Sequence, residues 1–143
     1  MLIKTATDNK NRTLGEVRTI LMKNGGKLVP EGSVSFLFNL VGNLEIAIED
    51  ETKISEIEMK IIEAGADDIE RMEKSFLAIT KVNALQKVKD LLEKSGLKII
   101  NGGLIYLPQQ KIQLNKKEQE SYEKLLEELD NQDDVQEIYD NLQ

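Results

Sequence analysis

The sequence predicts an α+β protein of two small lobes, one inserted in the other, and three observations carry that prediction. Apolar residues recur at helical spacing in some stretches and alternate in the stretches between them. Glycine, asparagine or proline punctuates most of the switches. The chain has 143 residues, 40% of them hydrophobic and 31% charged, which supports a real core within the range of one domain or two small ones.

The first strand is the apolar run Leu2 to Ala6. Residues 7 to 13, TDNKNRT, follow with turn chemistry at Asp8 to Asn11. Thr13 with Glu16 has the spacing of a capping box, so a helix is expected to open at Leu14, with Leu14, Val17, Ile20 and Leu21 on one face. Asn24-Gly25-Gly26 ends it. Val34 to Val41 and Leu44 to Ile48 alternate on either side of Gly42-Asn43, the pattern of a hairpin with a two-residue turn.

After the acidic break Glu49-Asp50-Glu51, Ile54, Ile57 and Ile61 form a helical stripe that stops at Gly65. Short strands around Asp68 to Met72 and Phe76 to Thr80 flank a polar turn and predict a second hairpin. Asn83 and Gln86 stand at capping distance before a helix with Leu85, Val88, Leu91 and Leu92 on one face, ended by Gly96. The run Leu97 to Leu107 is extended, with a bulge or bend at Gly102-Gly103. Beyond Pro108, Asn115 and Glu118 repeat the capping spacing before a helix carrying Tyr122, Leu125, Leu126 and Leu129, and Val135 with Ile138 or Tyr139 forms the last strand. Residues 1–48 plus 108–143 therefore read as a ferredoxin-like split βαβ lobe, with residues 49–107 as an inserted α/β lobe.

Composition excludes a good deal of chemistry. With no Cys and no His there is no disulfide, no thiolate nucleophile, no Cys/His zinc site and no imidazole base. The aromatics are Phe36, Phe38, Phe76, Tyr106, Tyr122 and Tyr139, without Trp, which leaves few platforms for stacking bases. No signal peptide or membrane-length apolar stretch is visible, so the expected location is cytoplasmic. The net charge of −7 resides in the residues from Asn115 onward, where three lysines face ten acids, while residues 1–114 balance. Such a segment reads as a solvated helix face, and the chain lacks the basic footprint of a non-specific nucleic-acid binder.

Four pieces stand in order along the chain: TDNKNRT at residues 7–13, GSV at Gly32 to Val34, EAGADDIE at Glu63 to Glu70, and DDVQEIYDN at residues 133–141. Together they resemble the YebC family over Leu2 to Asn141. The resemblance implies a gene-expression regulator: bacterial members are regarded as DNA-binding transcriptional regulators and have been tied to translation, and a mitochondrial relative activates translation of a cytochrome oxidase subunit. It also implies the nested arrangement of a second and third domain. Family members open with a basic helical domain, with a segment like GHSKWANIKHRK, and this chain has no counterpart. It therefore reads as a fragment or truncation.

Lys10, Arg12 and Arg18 are the candidate nucleic-acid contacts, since they cluster near the start of the first helix, where backbone donors can hold a phosphate. The plainer reading is surface charge plus capping. Asp67, Asp68 and Glu70 do not follow a calcium-loop pattern, and successive residues of a strand point to opposite faces, so no metal site is expected. Asp133-Asp134 reads as a turn that aims the last strand. Neither Gly-Gly pair has the spacing of a nucleotide loop, and no cofactor or catalytic residue is expected. Two classes of function remain: a transcriptional regulator with DNA as partner, in which this chain is the effector or scaffold part, and a ribosome-associated translation factor with ribosomal RNA as partner. An enzyme is disfavoured.

Overall fold

A computed structural model describes all 143 residues, Met1 to Gln143. Its elements run β1 (Leu2–Thr5), α1 (Lys10–Lys23), β2 (Phe38–Ala47), α2 (Ile54–Glu63), β3 (Asp68–Arg71), β4 (Ser75–Thr80), α3 (Leu85–Lys94), β5 (Ile99–Pro108), α4 (Lys116–Asp130) and β6 (Val135–Tyr139). The class is α+β, as the sequence predicts. Strands β1 and β6 form a two-stranded antiparallel sheet, and the other four form a sheet in the order β3-β4-β2-β5. The chain divides into two compact units, one of Met1–Asn39 with Leu107–Gln143 and one of Leu40–Tyr106. No helix is long and apolar enough to cross a membrane.

Sheet membership differs from the expectation. Both β2 and β5 belong to the four-stranded sheet, so the β-α-β-β-α-β succession of a split βαβ runs through the inner unit, and the outer unit keeps only β1 and β6. The division accordingly falls at Asn39/Leu40 and not after residue 48.

The cause lies at Gly42-Asn43, which is not a turn. Strand β2 passes straight through it, and Gly42 pairs with Thr80 at the start of a ladder that continues to Ala47 opposite Ser75. Neither residue takes the positive φ that a tight hairpin turn demands. Gly42 is glycine because the strands and α3 approach closely: an added Cβ would lie 2.2 Å from Thr80 Oγ1 and 3.0 Å from Leu85 Cβ. Gly42, Leu44 and Ile46 are buried in unbroken alternation, whereas Ser35–Leu37, expected as strand, forms a 3₁₀ turn.

In the inner unit Leu44 and Ile46 from β2 and Phe76 and Ala78 from β4 meet Ile57 and Ile61 of α2 and Val88 and Leu92 of α3. The expected stripes of both helices face the core except at Leu91 of α3, which is exposed. Gly65 takes φ +97° immediately beyond α2, the left-handed conformation that closes a helix end. The hairpin of β3 and β4 forms as predicted, with Asp68 opposite Ile79 and Arg71 opposite Phe76. In β5 an added Cβ at Gly102 would come within 2.8 Å of Leu44 Cδ2, so this glycine serves close packing. Asn83 does not cap α3; a 3₁₀ turn, Val82–Ala84, leads into it, and Gln86 instead donates to Asp90 Oδ1 at 2.8 Å.

In the outer unit Val17 and Leu21 of α1 bury against Leu129 of α4, with Ile3 of β1 and Ile138 of β6 beside them. The α4 capping box is present: Asn115 Oδ1 accepts the Glu118 N–H at 3.0 Å, and a Glu118 carboxylate oxygen accepts the Asn115 N–H at 2.9 Å. Helix α1 starts four residues before the expected Leu14, because Asn9 and not Thr13 is its cap. The Asn9 side chain accepts the Arg12 N–H at 3.1 Å, and Thr13 lies inside the helix, 3% exposed.

Candidate nucleic-acid interface

The start of α1 is held by a relay of short polar side chains, and its geometry decides what the three candidate cations can do. The Asn9 N–H donates to Thr7 Oγ1 at 3.0 Å, and the Thr7 and Thr13 hydroxyls lie 2.7 Å apart. Thr13 Oγ1 is 2.6 Å from Asp134 Oδ2. A hydroxyl has one proton, and the carboxylate is the strongest acceptor in reach, so Thr13 donates to Asp134.

Asp134 is thus the hub of the outer unit. It receives Thr13, Arg12 Nη2 at 3.2 Å and Gln132 Nε2 at 3.4 Å, while its own N–H donates to Gln132 Oε1 at 2.7 Å. Its carbonyl accepts the Ala6 N–H at 2.9 Å, which ties the loop before β6 to the end of β1. These donors, Thr13 foremost and then Arg12 and Gln132, hold the Asp134 carboxyl below the ordinary carboxylate range. The segment read from sequence as a turn is a turn that also anchors the first helix.

Arg12 is consequently shared between two carboxylates, Asp134 and Asp8, each at 3.2 Å. Its other neighbours do not suit a phosphate. A groove of about 690 Å³ between α1 and α4 passes Arg12, but Glu16 and Glu128 line it. Lys10 and Arg18 are exposed and form no ion pair. They stand about 12 Å apart along the helix axis and about 80° apart around it, with Arg12 about 120° away from Arg18. The three cations do not form one clamp.

At the far end of DDVQEIYDN the Tyr122 hydroxyl of α4 donates to Asp140 Oδ2, and Asp140 Oδ1 accepts the Leu142 N–H at 3.0 Å. Burial first, and then Asp140, push the Tyr122 hydroxyl pKa up. Beyond that turn, the segment's role is hidden from the local sequence because its partners lie far away: Asp134 is 121 positions from Thr13, and Tyr122 is 18 from Asp140.

Comparison with known proteins agrees with this architecture. Residues 1–142 match the family described as the TACO1/YebC second and third domain. A probable transcriptional regulatory protein of Caldanaerobacter subterraneus subsp. tengcongensis is 38% identical over the whole chain, which covers 59% of that relative. One of Thermoanaerobacter pseudethanolicus is likewise 38% identical, with 58% of it covered. The crystal structure of a conserved hypothetical protein from Aquifex aeolicus superposes with a TM-score of 0.87 at 34% identity, over 99% of this chain and 58% of that one. The chain spans somewhat over half the length of these relatives, and by sequence and by fold it belongs to the TACO1/YebC family.

Proposed function

We propose that this chain is the α/β scaffold of a gene-expression regulator that, at the length of its relatives, binds DNA and acts on transcription, with most of the DNA contact made outside residues 1–143. The relatives' name, probable transcriptional regulatory protein, supports the class. The observation that carries the division of labour is Arg12: of the three cations near the start of α1, the middle one is held by Asp8 and Asp134. The remaining two, Lys10 and Arg18, are auxiliary phosphate contacts on a chain whose net charge is −7.

The alternative is a translation factor that docks on ribosomal RNA. Its support is the split βαβ sheet, a topology that RNA-binding domains use. Against it, the phenylalanines of the central strands, Phe38 in β2 and Phe76 in β4, are both buried and offer no platform.

Binding of this chain, and of a version extended to its relatives' full length, to labelled duplex DNA and to purified ribosomes across a salt series tests the proposal. The scaffold reading expects duplex binding by the extended version alone, with a steep salt slope that becomes slightly shallower in Lys10→Ala and Arg18→Ala. Co-sedimentation of this chain with ribosomes, and no duplex binding by either version, overturns it in favour of the translation factor.

A further inference from the structure

Phe36 is the most exposed of the large hydrophobic residues, 68% exposed, in a protein whose other two phenylalanines are 6% and 2% exposed. Its presentation is not looseness. The Leu37 N–H donates to the Val34 carbonyl at 3.0 Å, and the Ser33 N–H donates to the Pro30 carbonyl at 3.1 Å. From the other side, Gln109 grips the turn: its side-chain amide donates to the Phe36 carbonyl at 2.9 Å and its backbone N–H donates to the Leu37 carbonyl at 2.9 Å. The ring is held out on a fixed 3₁₀ turn, where it forfeits the benefit of burial.

The two segments that meet at its turn are opposite in net charge to the rest of the chain. The two segments joined by Gln109, residues 27–39 and 107–117, contain Lys27, Lys111, Lys116 and Lys117 against the single acid Glu31, a net +3 in a protein of −7, which leaves −10 elsewhere. None of the four lysines forms an ion pair. Lys116 and Lys117 open α4, where the helix dipole disfavours cations, so local stability does not explain them. The next acid, Glu118, spends its carboxylate on the Asn115 N–H. Lys111 is two residues beyond Gln109, which places its backbone within about 7 Å of the residue that grips the Phe36 turn.

We propose that Phe36 is a stacking platform for an unpaired base of single-stranded nucleic acid, with Lys111 taking the adjacent phosphate. A rigid exposed ring on a turn joined to a lysine-bearing segment suits a base whose face is free, and a base inside a duplex cannot reach it. This inference goes beyond the duplex-binding reading and does not rest on it, since none of its residues is on α1.

The chain has no tryptophan, so Phe36→Trp installs a single reporter at the platform. Its fluorescence is titrated with oligothymidylate and oligouridylate of about ten nucleotides and with a duplex of the same length. In parallel, anisotropy with labelled single strands compares the native chain with Phe36→Ala, Phe36→Tyr and Lys111→Ala. Saturable quenching by single strands but not by duplex is expected. Phe36→Ala weakens binding about tenfold or more, Phe36→Tyr retains it, and Lys111→Ala makes the salt slope shallower by about 0.7. Absence of quenching by both single strands, equal quenching by duplex, or unchanged affinity in Phe36→Ala overturns the proposal. Absence of quenching, or unchanged affinity in Phe36→Ala, leaves duplex binding by the extended version untouched, whereas equal quenching by duplex also counts against the scaffold reading.

Discussion

Gly42→Ala is the sharpest probe of the fold, because it separates a continuous β2 from the hairpin that the local sequence predicts. The new methyl group would fall 2.2 Å from Thr80 Oγ1 and 3.0 Å from both Cβ and Cδ1 of Leu85, and Thr80 is 1% exposed, so nothing nearby yields into solvent. Overpacking of a closed core costs about 1–3 kcal/mol, and a contact this short belongs at the upper end, about 3 kcal/mol. With an unfolding entropy of about 0.3 kcal/mol/K for a chain of this length, that is a fall of about 10 °C in Tm if the chain unfolds in one transition. Urea denaturation gives the free energy, and Thr80→Ala in the same background identifies the cause. Alone, Thr80→Ala loses the bond from its hydroxyl to the Lys81 carbonyl, about 1 kcal/mol. Combined with Gly42→Ala it removes the closest contact, so the double variant should be at least about 1 kcal/mol more stable than the sum of the two single losses predicts. The Leu85 contacts prevent full recovery. A hairpin turn at Gly42-Asn43 would also suffer from alanine, by about 1 kcal/mol, but with no coupling to Thr80. Additive losses, or a single-variant loss below about 0.5 kcal/mol, would refute the packing argument.

The remaining predictions concern the outer unit. Thr13→Ala removes a buried hydroxyl that donates to a carboxylate and should cost about 2 kcal/mol in urea denaturation, against no measurable loss for Lys10→Ala. Because Asp134 has its carboxyl pKa lowered in the folded state, its contribution is present above the unfolded value of about 3.9 and disappears as pH falls through the lower folded one. Asp134→Asn should therefore be less stable than the native chain at neutral pH, and the two unfolding curves should converge in acid; a gap independent of pH would show that charge is not involved. Tyr122 titrates in the opposite sense: its raised pKa protects the fold up to about pH 10 and the protection is lost above it, so Tyr122→Phe should flatten the alkaline limb of the stability profile measured by circular dichroism. Asn115→Ala breaks the α4 capping box and should cost about 1 kcal/mol, whereas Asn83→Ala, at the same spacing from Gln86, should be nearly neutral because α3 has no side-chain cap.

The two asparagines show what a sequence of this kind reveals and what it conceals. Spacing identifies residues able to cap, and at Asn115 nothing competes with the cap; at Asn83 a 3₁₀ turn takes the helix start, and at Thr13 a better cap four residues earlier leaves the threonine free for the interior. Periodicity identifies the buried faces of α2 and α3, apart from the exposed Leu91, because those faces depend only on positions a few residues apart. It misread Gly42-Asn43 for the same reason: the partner that requires a glycine there, Thr80, is 38 positions away, and a turn glycine and a close-approach glycine look alike in a local window. A strand that ends at residue 41 pairs with Leu44 to Ile48 as a hairpin, which places the split βαβ order in the outer lobe; the continuous β2 places it in the inner one. The surroundings of the candidate site are concealed in the same way. Charge and position make Lys10, Arg12 and Arg18 look equivalent, and the difference between them is a pair of aspartates, Asp8, four positions from Arg12, and Asp134, 122 positions from it. The signal that could have shown it is the pair of motifs at opposite ends of the chain: TDNKNRT supplies Arg12 and Thr13, DDVQEIYDN supplies Asp134, and β1 pairing with β6 brings the two ends together. The same comparison argues for Phe36. It is 68% exposed, none of the lysines of its two segments forms an ion pair, and its turn is hydrogen-bonded on both sides. Its exposure is thus a property of the folded outer unit.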